Sequence, residues 1–255
     1  MDHYVTLVSN ASMDLFPNNK RSSFRTRLPY VHDFSEGNWL VALSEITYSK
    51  SWFNVRDGHT VTPAMIHDGQ PVDAMKSDHK TAISPGFYHT PSELIDHINS
   101  LMSTWQTPPS VTKLPELMVN TNGIVSLKTM GIVKEGSATR QFGALFDNEM
   151  STLLGIANSR PAFLDQGMTS LYVYCDILQP QVVGDSFEPL LRTIGVDSNV
   201  RFGENVTEIF DYPYYIPLAR TVFQEIEINI RNDIGEAPPF NFGRTTVTLH
   251  FVKQP

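Results

Sequence analysis

Five of the chain's eight histidines, His59, His67, His79, His89 and His97, fall in one stretch, alongside Asp57, Asp68, Asp73, Asp78 and Asp96. Imidazoles and carboxylates are ligands for zinc and similar ions, so a metal centre is the first chemistry to weigh. The spacing argues against it. No two of these histidines stand one to four residues apart, as ligand pairs in ordinary metal motifs do, and they read as solvated loop histidines. The His-x-His pair by which cupins hold metal is missing too. The second candidate is Cys175, the single cysteine, with His250 as its base. A nucleophilic thiol needs an electropositive, partly exposed setting. Alternation instead puts Cys175 on the apolar side of one strand and His250 on the polar side of another, so Cys175 reads as a small buried hydrophobe. A lone cysteine leaves no intrachain disulfide and fits a reducing compartment.

Motif-marked catalysis is absent as well. There is no Gly-x-Ser-x-Gly elbow, P-loop, dinucleotide fingerprint or His-Glu-x-x-His helix. No catalytic residue, metal ligand or cofactor is assigned, and the expectation is a non-enzyme.

Binding chemistry remains. Lys20, Arg21, Arg25 and Arg27 put four basic residues within eight, a pattern that would suit an interior patch facing nucleic acid. A solvated strand face plus turn is the preferred reading, because no stacking aromatics are interleaved as in RNA-binding sheets. A net charge of −8 holds nucleic-acid contact to weak and nonspecific at most. Trp52 and Phe53 follow a strand, and Tyr212, Tyr214 and Tyr215 sit in the Pro-broken segment DYPYYIP. Aromatics of this kind suit a protein interface, with core packing as the competing reading.

The elements that position these groups are mostly strands. At 255 residues, 41% hydrophobic and 18% charged, the chain can bury a substantial core and has room for one large β-domain. Ser23 to Pro29 alternates Phe24, Thr26 and Leu28 against Arg25 and Arg27, and Asn38 to Tyr48 is a longer apolar strand. Leu171, Val173, Cys175 and Ile177 alternate with Tyr172, Tyr174 and Asp176. Ile226, Ile228 and Ile230 alternate in the same way, as do Val247, Leu249 and Phe251. Such alternation means one face on a core and one outward.

Between these strand groups, residues 56 to 85 are polar, lose periodicity and are expected to form a long loop or part of an insertion. A helix is expected from Thr90 to Trp105, opened by a Thr90-x-x-Glu93 capping box with Pro91 in its first turn. Its apolar stripe is Leu94, Ile98, Leu101 and Trp105. Thr121-Asn122-Gly123 marks a hairpin, and Asp147 to Leu154 a short helix closed by Gly155. The expected architecture is a mainly β, single jelly-roll sandwich over residues 1–255, with a small α/β insertion at about 56–168. No apolar run approaches the length of a membrane span. MDHYVTLVSN lacks the layout of a secretion leader, so intracellular synthesis and no membrane are expected.

The last third carries a resemblance. The Val-Tyr-Cys175-Asp176 strand leads into the Pro180-Gln-Val-Val-Gly184-Asp185 elbow and Pro189-Leu-Leu-Arg192. Ile216-Pro-Leu218, the Glu-Ile-Asn-Ile-Arg231-Asn-Asp233-Ile-Gly235 run, Pro239-Phe240 and the Gly243 to Phe251 strand follow. Upstream, Thr47 to Val55, Gly86 to Leu94 and Leu153-Leu-Gly-Ile156 look alike as well. Together these segments resemble the minor capsid, or penton, proteins of Maverick/Polinton transposable elements and adintovirus-like viruses. The resemblance implies a single jelly roll at the fivefold vertices of an icosahedral virion. It would assemble as a homopentamer among trimers of a double jelly-roll major capsid protein. The insertion would then be free to meet a host receptor or glycan. Two other readings share the strand pattern: a jelly-roll carbohydrate- or receptor-binding module, and a cryptic hydrolase, which would need histidines and carboxylates converging in a pocket.

Overall fold

The structure is a computed structural model that describes residues 2–67, 70–74, 80–106, 113–128, 130–135, 138–165 and 168–254. Asp68, Asp78 and His79 of the histidine-rich stretch lie outside the described residues. In chain order the first elements are β1 (Asp2–Val8), β2 (Ser23–Asp33), β3 (Trp39–Ser49), β4 (Thr60–His67), β5 (Gln70–Ala74), β6 (Thr81–Ala82) and helix α1 (Pro91–Met102). Next come β7 (Glu116–Val119), β8 (Val125–Lys128), β9 (Met130–Glu135), β10 (Ala138–Phe146) and helix α2 (Asn148–Leu153). The last third holds β11 (Ser170–Cys175), β12 (Gln181–Val183), β13 (Ser186–Glu188), β14 (Leu190–Gly195), β15 (Asn205–Ile209), β16 (Ile216–Pro217), β17 (Val222–Arg231) and β18 (Thr246–Lys253). These elements form two compact units, residues 1–52 with 167–255, and residues 53–166.

The first unit is a sandwich of two antiparallel sheets, ordered β1-β18-β3-β15 and β14-β11-β17-β2, with β16 added beside β3. If its eight main strands are counted in chain order, one sheet holds the first, eighth, third and sixth, and the other the fifth, fourth, seventh and second. That interleaving is the double Greek key of a jelly roll. Period-2 alternation drives it. Leu171, Val173 and Cys175 on β11, Ile226, Ile228 and Ile230 on β17, and Val247, Leu249 and Phe251 on β18 all enter one shared core. The residues between them are partly exposed, except His250, expected on a polar face but buried beneath Tyr4 and Tyr215. Bulges interrupt the β18–β3 and β17–β2 registers and let the strands curve around that core.

The second unit packs α1 and α2 with a sheet ordered β5-β4-β10-β9, with β6 also on β4, and a β7–β8 hairpin. Leu94, Ile95, Ile98 and Met102 of α1 join Val61, Ala144, Met150 and Leu153 in its core. Thr90 caps α1, since the Glu93 amide donates to its Oγ1 at 3.2 Å. The return bond differs from the expected capping box: the Glu93 carboxylate accepts from the His89 amide at 2.7 Å, one residue upstream of the cap. The helix also stops three residues before Trp105. The hydroxyls of Ser103 and Thr104 donate back to the carbonyls of Ser100 and Leu101, and the Trp105 indole N–H donates to Thr81 at 2.9 Å.

One expectation is corrected. Residues 56 to 85 contain strands β4, β5 and β6 in place of a long loop. Val61, Thr62, Pro63 and Ala64 are all buried, so β4 is covered on both faces and shows no alternation. Pro63 also speaks against a central strand. It stands opposite Ala144 of β10. The Pro180 to Asp185 elbow opens a hairpin. Gln181–Val183 and Ser186–Glu188 form a two-stranded hairpin, turned by Gly184 at φ +62°.

Candidate functional site

The sandwich holds most of the residues singled out from sequence. Cys175 is fully buried, and burial pushes its thiol up to about 12, which favours the protonated form near neutral pH. Asp176 accepts from the Glu227 amide at 2.8 Å and pairs with Arg220. Burial pushes the Asp176 carboxyl up, against the pull of that amide and of Arg220. Asp233 accepts from the Thr169 amide at 2.6 Å, the Thr169 hydroxyl at 2.8 Å and the Ser170 amide at 3.2 Å, which ties the β17–β18 connection to the start of β11. Gly235 turns that connection, its amide bonding the Asn232 carbonyl. Gly243 sits at φ +83°, where a Cβ would run into the Ser49 hydroxyl. Pro180 precedes the exposed hairpin and Asp185 stands in its turn beside Gly184, and Arg231 lies over the Tyr174 ring at 5.2 Å. These residues are joints of the fold.

His59 Nδ1 lies 3.1 Å from Asp147, the cap of α2. Burial works against the Asp147 charge, yet the Met150 and Thr60 amides and the His59 ring hold its pKa below the ordinary carboxylate value. Among the described residues no group of three or more His, Cys, Asp or Glu is placed to hold a metal ion.

The two outer faces of the sandwich largely satisfy themselves. On the β14-β11-β17-β2 face, Arg25 pairs with Glu227 and stands 3.9 Å from Glu225, while Arg220 pairs with Asp176. On the other face Thr6 bonds Thr248 at 3.2 Å and Thr47 bonds Thr207 at 3.0 Å. The basic run is therefore split: Arg25 is ion-paired, Arg21 donates to the carbonyls of Gly243 and Phe240, and Lys20 and Arg27 stand exposed.

Exposed apolar side chains gather at the two edges and on the hairpin. Strands β1 and β2 share one edge, joined by the His3 and His32 rings with centroids 5.0 Å apart. Tyr4, Leu15, Tyr30 and Val31 are open there. Strands β14 and β15 share the other, where the Arg192 guanidinium lies 4.0 Å over the Phe210 ring and donates to the Tyr212 carbonyl. Ile209 is 67% exposed there, Tyr212 91% and Tyr214 65%. On the hairpin, Val182 and Phe187 pair across the strands at 70% and 75% exposure. The aromatics read as interface candidates thus divide. Trp52 is buried in the core at 1% exposure, packed edge-on to Phe240, and Tyr215 is half-buried with its hydroxyl 2.9 Å from His250. Phe53 sits at the margin of exposure, and Tyr212 and Tyr214 are open.

No protein-family model matches the chain, and no curated protein does. Solved structures do. The mavirus penton protein superposes with a TM-score of 0.51 at 8% identity, covering 100% of both chains. This chain has the fold of that penton protein. A chain of the Sputnik virophage structure aligns over 99% of this chain and 98% of its own, at 11% identity and a TM-score of 0.43. The penton fold is the fold the sequence resemblance implies, and it appears here at an identity too low for residue-by-residue transfer.

Sequence reasoning missed the hairpin pair and the open ends of β14 and β15. Val182 and Ile209 are ordinary strand residues by type, and only the sheet order shows that nothing covers them.

Proposed function

We propose that the chain is a structural capsid protein that occupies the fivefold vertices of an icosahedral virion. The observation that carries this reading is the full-length match of its jelly-roll topology to a penton protein. In this reading it acts by assembly, without catalysis or cofactor. It joins copies of itself and the surrounding double jelly-roll major capsid protein. The domain is one jelly roll interrupted at about 56–168, the insertion entering between β3 and β11. Exposed side chains of that segment, such as Met118 and Phe163, are available to a host receptor or glycan. Subunits are made inside the host cell and carried in the virion.

Co-expression with the major capsid protein of the same genome tests it. Shells purified on a density gradient should contain this chain, with cryo-EM density for it at the vertices. Shells whose vertices are closed by another protein, with this chain left at the top of the gradient, would overturn the reading.

A further inference from the structure

The β1–β2 connection and the β17–β18 connection lie against each other in the sandwich unit. Arg21 of the first donates to the carbonyls of Gly243 and Phe240 of the second, at 2.9 and 3.3 Å. Between the two connections is a cavity of about 470 Å³, within the roughly 300–1,000 Å³ of small-ligand sites. Its walls carry one sign of charge. Lys20 and Arg21 line it, and among the described residues no carboxylate does, in a chain whose net charge is −8. The other charged residues of the two connections are Asp14, Asp233, Glu236 and Arg244. They lie outside the lining, and Asp233 is taken up by Thr169 and Ser170. Among the described residues neither Lys20 nor Arg21 has an ion-pair partner.

We propose that this cavity binds a small ligand with one oxyanion head group, carboxylate or phosphate, held by Arg21 and Lys20. Arg21 is preset for it. Two of its N–H groups are spent on carbonyls, which fixes the guanidinium plane, and the others stay free to donate. A guanidinium held in this way matches paired oxygens of a carboxylate or phosphate. Lys20 is exposed and adds a second, more mobile charge. Met13, 40% exposed, and the exposed Pro239 give the same cavity an apolar wall for the body of the ligand. A nucleic-acid backbone would need a longer basic track, and the next cation along the chain, Arg25, is already paired with Glu227. The site is complete within one copy of the sandwich, so it stands or falls apart from the vertex reading.

The test is methyl NMR of the full chain with labelled methionine methyls, the Met13 signal being assigned by its loss in Met13→Leu. The probes are phenyl phosphate and benzoate, with benzyl alcohol as the neutral control. One or both anions should shift the Met13 methyl saturably below about 10 mM, while benzyl alcohol leaves it in place. A response to phenyl phosphate alone, to benzoate alone or to both names the head group. Lys20→Gln should weaken anion binding at least about tenfold, as loss of a charge-assisted hydrogen bond does. Arg21→Gln should weaken it as much. Arg21 also holds the Phe240 and Gly243 carbonyls, so circular dichroism checks that variant, and the surface change Lys20→Gln decides the matter if it does not fold. A Met13 methyl that neither anion moves, a benzyl alcohol shift equal to that of the anions, or unchanged affinity in folded Lys20→Gln would each overturn the site.

Discussion

Strands β17 and β4 are both interior strands of antiparallel sheets, and they are built differently. Along β17, Ile226, Ile228 and Ile230 go into the core while Glu225, Glu227 and Asn229 remain partly open. Along β4, Val61, Thr62, Pro63 and Ala64 are buried in succession, and the last three residues are half-buried. The first strand serves one core on one face; the second is covered on both. The difference shows how each tolerates change. In β17 an outward position is a solvent problem and an inward one a packing problem. In β4 every central position is a packing problem, the proline included.

A scan across the two strands would break or sharpen this contrast. The largest effect is expected from Ile228→Ala, at about 2–5 kcal/mol for a fully buried branched side chain, read from urea unfolding. Asn229→Lys next to it should stay within about 0.5 kcal/mol. The same neighbouring pair in β4, Val61→Ala and Thr62→Lys, should both be costly. If Thr62→Lys proved as mild as Asn229→Lys, the two-faced burial of β4 would be wrong. Next in size is Gly243→Ala in the sandwich, which combines a left-handed φ with the Ser49 hydroxyl in the way and should cost about 1–3 kcal/mol. Its counterpart in the middle unit is Thr90→Ala, which removes the α1 cap for about 1 kcal/mol. Hydrogen exchange should place the first loss on β3 and β18 and the second on α1. Equal loss in both units would mean that the two cores do not open separately.

The smallest expected effect is in pH. His32 is buried against Phe34 and Phe223, and burial, with the nearby His3 ring, holds its pKa below the ordinary 6.5. The neutral ring is the folded form, so its contribution is complete above 6.5 and is lost as pH falls through the lower folded value. Unfolding midpoints at about pH 7.5 and about pH 5.5 should differ less in His32→Phe than in wild type. An unchanged difference would shift the acid sensitivity to other groups.

These strands also explain what could be read in advance. β2, β11, β17 and β18 were legible because one face is wet, and a wet face writes period 2 into the sequence. Thr90, Pro91 and Glu93 announced α1 for a local reason, since a cap is satisfied within a few residues. β4 was hidden because burial on both faces erases the period. The open surfaces were hidden for another reason: exposure of Ile209, Tyr212, Val182 and Phe187 depends on strand order, which is set by pairings far apart in the chain. Trp52, taken for an interface aromatic, shows the converse, because a tryptophan at a strand end looks the same whether the sheet opposite covers it or not.

The pairing of β1 has a consequence in time. Among the described residues, 2–8 find their ladder partner in residues 246–252 alone, so a chain emerging from the ribosome carries β1 unpaired until residue 252 has been made. Closure over so long a separation is slow, and the sandwich lacks one edge until it happens. Pulse-labelled exchange during refolding should find the β1 amides among the last to be protected.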